Sequence, residues 1–133
     1  MIGKGILGLS SFLFIGYGLA CFYNPLIATS NAGLIMEGSS AFAEIGAMYG
    51  GLQIGFGAFC FIAIIKSNYY RAGILALFIV IGCVGLTRLI SQLIGGEDWT
   101  SYTMGALVYE LATMLIAGSV FFKWNNDFNA EAN

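Results

Sequence analysis

Four long apolar stretches, separated by short polar or glycine-rich breaks, set the pattern of this chain. Each runs for about 20 residues, the length a helix needs to cross the hydrocarbon layer of a bilayer. The pattern predicts helices over about 6–23, 41–65, 72–94 and 102–124. Asn24-Pro25 ends the first, because proline disfavours helical geometry in the residue before it. Ser39 or Ser40 can cap the second helix, and Thr100 or Ser101 the fourth. Residues 24–40 form the longest connection, mixing turn residues with Leu26, Ile27, Leu34 and Ile35; a short helix or loop lying over the helix ends is expected there. Lys66 to Arg71 and Gly95 to Trp99 read as turns, and residues 125–133 as a polar, frayed tail. Gly8, Gly16 and Gly18 thin the first helix. Gly46/Gly50 and Gly51/Gly55 are two GxxxG spacings in the second, a pattern that lets helix backbones approach closely in lipid.

Composition agrees with that pattern. Of 133 residues, 59% are hydrophobic and only 9% charged, against about 25% charged in a soluble domain. The expected fold is all-α: an integral membrane four-helix transmembrane bundle, one domain over residues 1–133. Lys4 and the apolar run after it resemble the opening of a signal peptide, but no small-x-small site follows, so the segment is expected to stay as the first helix. Lys4, Lys66, Arg71 and Lys123 all fall on one side of a four-helix topology, whereas the other side carries Glu37, Glu97 and Asp98. The positive-inside rule then puts both termini in the cytoplasm. The chain has no histidine and no CxxC spacing, so no metal site is expected. Cys21, Cys60 and Cys83 read as small buried packing residues, with no disulfide expected. A net charge of −2 with no basic patch argues against a nucleic-acid partner.

Against this apolar background three ionisable residues stand out: Glu44, Arg88 and Glu110. Arg88 lies six residues before Ile94, roughly 9 Å from that end of its helix, and Glu110 eight residues past Tyr102, roughly 12 Å deep. Glu44 is about one turn inside the same boundary. A charge at such depth costs several kcal/mol unless it is paired or wetted. Pairing of Arg88 with Glu110 is the economical solution, since a guanidinium can hold a carboxylate bidentately and still donate elsewhere. Glu44, Tyr49, Gln53 or Gln92 could take the further bond, and Tyr109 adjoins Glu110. Glu110 and Glu44 are the candidate acid or base groups, although a carboxylate satisfying a helix start and an ion pair fixing helix register would explain the same residues. Tyr17, Tyr23, Tyr49, Tyr102 and Tyr109 gather in the same half, as interfacial anchors or cavity lining.

The run EIGAMYGGLQ from Glu44 to Gln53, the run GLTRLIS from Gly85 to Ser91 and the pair Tyr109-Glu110 resemble an uncharacterised bacterial membrane family, domain of unknown function family 4345. The resemblance covers nearly the whole chain and extends to the broader DoxX-like four-helix proteins. It implies a four-helix fold in the bacterial inner membrane with a charged cluster, and brings no known reaction. The family pattern often places an arginine two residues after the second-helix glutamate; Gly46 stands there in this chain, which frees Glu44 for Arg88. DoxX-like relatives include small subunits of membrane redox systems, which favours an accessory role beside quinone chemistry.

Three functions follow as expectations. The first is an accessory or structural subunit of a larger membrane complex, packing through glycine faces. The second is a small membrane enzyme or a binder of a lipophilic ligand (lipid, quinone or isoprenoid), using Glu110 and Arg88 in an outer-leaflet pocket. The third, an oligomeric transporter, has the least support, because no inverted repeat or broken helix shows in the sequence. The partners implied are membrane lipids and either a protein partner in a complex or further copies of the chain. No cofactor is required, although a bound lipid or quinone would suit the pocket.

Overall fold

The computed structural model describes residues 1–96 and 98–131, with side chains through residue 124. Glu97, part of the acidic count above, and the last two residues of the polar tail lie outside the described residues. The described residues form five helices: α1 (Ile2–Tyr23), α2 (Leu26–Ala32), α3 (Gly38–Ile65), α4 (Ser67–Gly95) and α5 (Ser101–Glu131). All but α2 are long and apolar enough to cross a membrane. The chain is thus a small, all-helical protein of multi-pass membrane type.

The breaks follow the local chemistry. Asn24 is extended at φ −139° and ψ 91°, as the following proline requires, and Pro25 opens α2. Gly33 takes the left-handed conformation at φ 67°, and the Leu34 N–H reaches back to the Thr29 carbonyl at 2.8 Å, a Schellman closure. Thr100 caps α5 as expected, its hydroxyl accepting the Thr103 N–H at 3.1 Å. Neither Ser39 nor Ser40 caps α3. That helix begins at Gly38, so both serines fall inside its first turn, and no side chain caps it.

One expected turn is shorter than the polarity pattern implied. Lys66 alone separates α3 from α4, extended at φ −104° and ψ 107°. The run Ser67–Arg71 is polar but helical: Tyr70 stacks near Trp124 with ring centroids 5.5 Å apart, and the Arg71 guanidinium lies 5.4 Å from the Phe121 ring centre. These contacts hold the first turn of α4 against the end of α5. The last helix likewise continues to Glu131 rather than stopping at Trp124.

Two helices also carry a wide turn. Gly46–Gly51 within α3 and Leu77–Ile81 within α4 are π-helical. Each extra-wide turn shifts the face presented by everything beyond it, and such turns concentrate at functional sites.

The bundle has two unlike halves. Its basic end gathers Lys4, Lys66, Arg71 and Lys123, near the contacts just described. Beside it lies the dry core: Ile6, Leu7, Cys60, Ala63, Ile74, Leu77, Ile81 and Ala117. Gly57 of α3 fits against the α1 backbone, Gly73 of α4 against Ala63, and Gly118 of α5 against Phe78. The outer faces are mostly apolar, with Phe12 at 76% exposure and Val108 at 65%, as lipid-facing positions would be. Cys21 and Cys60 are buried packing residues, whereas Cys83, expected to pack inside, lies exposed on α4. Gly82, its neighbour, occupies the inward position against Met114.

Candidate functional site

Beyond the dry core the four long helices border a partly open cavity of about 370 Å³. Its floor is the aromatic pair Phe14 and Phe56, ring centroids 5.2 Å apart and edge to face, which also packs on the core. Its walls are mostly apolar. The polar groups facing it are Tyr17, Gln53, Arg88, Tyr102, Tyr109 and Glu110.

Arg88 and Glu110 form the ionic centre. Arg88 Nε donates to Glu110 Oε1 at 3.1 Å and Oε2 at 2.8 Å, and Nη2 donates to Oε1 at 2.7 Å. This side-on grip uses two guanidinium nitrogens and both carboxylate oxygens, leaving the third nitrogen, Nη1, outside the pair. Gly85 favours the geometry: a Cβ there would stand 3.0 Å from Glu110 Cβ, a tight contact that glycine avoids where α4 lies close to α5, one turn from Arg88. The Glu110 side chain is 8% exposed and that of Arg88 29%, so the carboxylate is the buried partner and the guanidinium fronts the cavity.

Two hydroxyl bonds join α1 to α5 along the same wall. Tyr17 and Tyr102 share a hydrogen bond at 3.2 Å, and Tyr109 Oη donates to Ser10 Oγ at 2.9 Å. Ser10 is fully buried, so this second bond satisfies a hydroxyl that has left water. Tyr109→Phe is expected to lower stability by about 1 kcal/mol, the net worth of a neutral hydrogen bond. Thermal unfolding in one detergent, compared with Tyr23→Phe at an exposed position, checks it.

The sequence-derived residues divide as follows. Arg88, Glu110, Gln53 and Tyr109 meet at the cavity. Tyr49, in the π turn of α3, is half-buried but not among the lining residues; Gln92, one turn beyond Arg88, is likewise half-buried and outside the lining. Glu44 does not join Arg88: it is exposed on the opening turns of α3. The π turn at Gly46–Gly51 lies between Glu44 and the cavity-lining Leu52, Gln53 and Phe56, and it rotates the two parts of the helix relative to each other. A straight 3.6-residue repeat drawn through the stretch cannot see that rotation. The pairing offered for Glu44 in its place is thus unused, and the centre holds one positive and one negative charge.

Other cavity residues carried no signal of their own. Val80, Val84 and Ala106 line it, but in a membrane helix an apolar residue facing a cavity and one facing lipid look alike. Tyr17 and Tyr102 belonged to the tyrosine cluster, which allowed for cavity lining without saying which tyrosines would meet.

Residues 2–121 match the model of one protein family, described as Domain of unknown function (DUF4345). No curated protein and no solved structure matches the chain.

Proposed function

Because the chain belongs to the DUF4345 family, whose description names no activity, we propose its function from the cavity: the protein binds a lipophilic molecule inside the bundle. One observation carries this reading. A cavity of about 370 Å³ combines mostly apolar walls with a few polar groups, among them the ion pair of Arg88 and Glu110. That is the usual build of a small-molecule site, in size and in the scarcity of its polar groups. Apolar walls take the hydrocarbon part, and the guanidinium and tyrosine hydroxyls fix the head. The two π turns border the same space, which adds support. Under the positive-inside rule the basic end faces the cytoplasm, so the cavity sits in the outer leaflet of a bacterial inner membrane.

The test is native mass spectrometry of the protein released gently from its own membranes. A stoichiometric bound lipid is expected on the wild type. Ala106→Phe, which fills the cavity from α5, is expected to lose the adduct while keeping its unfolding temperature within a few degrees. A wild-type protein free of any adduct, in several mild detergents, would contradict the reading.

A second reading, an accessory subunit of a larger membrane complex, keeps one supporting observation. Gly16, Gly46, Gly55 and Gly105 have open space where a side chain would be, so other helices could approach those places closely. A native gel of the same extract separates the readings: a discrete large complex with a stoichiometric protein partner favours the accessory role.

A further inference from the structure

We propose that the cavity takes its ligand sideways from the hydrocarbon layer, between α3 and α4, and that the ligand's head carries hydrogen-bond acceptors but no net charge. This rests on the binding reading above and adds the ligand's class and its route.

The route follows from how the helices meet. α3 and α4 pack together where Leu52–Ile65 faces Ser67–Ala76, beside their Lys66 turn. Toward the other end α3 packs on α1 and α4 on α5 instead, so the two helices diverge. The lining residues on the facing flanks of this divergence are Met48 and Leu52 of α3 and Val80 and Val84 of α4, each between 42% and 59% exposed. All four are apolar, as a passage to lipid should be. Each flank also carries a π turn, with Met48 in one and Val80 in the other. The opposite seam, between α1 and α5, has one exposed lining residue, Leu13, and is tied by the Tyr17–Tyr102 and Tyr109–Ser10 bonds.

The head follows from charge. Arg88 and Glu110 already neutralise each other through three hydrogen bonds. An anionic or cationic head would therefore bring an uncompensated charge into a largely apolar cavity, which is costly. A carbonyl or hydroxyl head avoids that penalty. It can accept from Arg88 Nη1, the nitrogen outside the ion pair, and bond with the Tyr102 hydroxyl or the Gln53 amide, which also line the cavity.

Three photo-crosslinking probes of one chain length test this in proteoliposomes: a fatty alcohol, the matching fatty acid and the matching alkyl-trimethylammonium, each with a diazirine near the head. The alcohol is expected to label cavity and gap residues, about tenfold or more above either charged probe, since each tenfold is only a small part of the penalty for a buried unpaired charge. Leu52→Trp and Val84→Trp, which fill the gap from positions that already face lipid, are expected to cut that labelling about tenfold at unchanged unfolding temperature. Equal labelling by the acid would overturn the uncharged head while leaving binding intact. Alcohol labelling that maps to the cavity but not to Met48, Leu52, Val80 or Val84, and that survives both tryptophans, would overturn the sideways route. Labelling of the cavity by none of the three would remove the binding reading itself. Should a tryptophan variant unfold, the map of labelled residues on the wild type still decides the route.

Discussion

Glu110→Leu is expected to destabilise the bundle by about 3 kcal/mol, because it strands Arg88 without its partner. Three hydrogen bonds go with the carboxylate. The guanidinium cannot shed its charge in response, whereas a lone carboxyl can take up a proton. Arg88→Met is therefore expected to cost less, about 1–2 kcal/mol, and the asymmetry is itself a signature of the pair. The estimate for Glu110→Leu sits at the low end for a broken buried pair, since the Arg88 side chain keeps 29% exposure and can turn toward the cavity. Joining Arg88→Met to Glu110→Leu is expected to recover most of the loss, because an apolar pair of similar volume needs no partner. Unfolding of all four proteins in one detergent gives the coupling directly. A double variant no more stable than Glu110→Leu alone would show that the two side chains act independently.

Gly57→Val is the second large expected effect, about 3 kcal/mol or more. A Cβ at Gly57 would lie 2.9 Å from the Ile15 nitrogen, 2.8 Å from Ile15 Cγ1 and 3.0 Å from the Ser11 carbonyl oxygen. Two of those neighbours are backbone atoms of α1 and cannot rotate aside, so the helices must separate. Overpacking a tight core usually costs about 1–3 kcal/mol, and a backbone contact belongs at the top of that range. Gly55→Val is the matched control. Nothing lies within 4 Å of its would-be Cβ, so its effect is expected to stay within about 0.5 kcal/mol. Equal losses at the two sites would contradict the helix packing described here.

That comparison also marks how far the sequence could be read. The apolar stretches announced four membrane-length helices, and Asn24-Pro25 and Thr100 marked two of their boundaries where the structure has them. The depth of Arg88 and Glu110 brought those two side chains to one level, because charges in an apolar helix are few and their partners must lie close. The GxxxG spacings misled on detail. The α3 glycines pressed against α1 are Gly50, against Phe22, and Gly57, against Ile15, seven residues apart; Gly46 and Gly55 meet nothing. Spacing by four finds a thin strip on a helix but not the side on which a neighbour stands. The π turns were invisible, since nothing in GAMYGG or LFIVI distinguishes a wide turn from an ordinary one, and with them went the placement of Glu44. The gap between α3 and α4 was out of reach for a related reason. Met48, Leu52, Val80 and Val84 are ordinary membrane-helix residues, and only the divergence of two helices gives them a shared role.

An experimental structure of the protein in a lipid nanodisc will show whether the space beside Arg88 and Glu110 holds a lipophilic molecule. Elongated density is expected, with its head at Arg88 Nη1 and its chain passing between Leu52 and Val84 into the surrounding lipid. A cavity closed by side chains, or one holding only water while the Arg88–Glu110 pair stays intact, would contradict the binding reading.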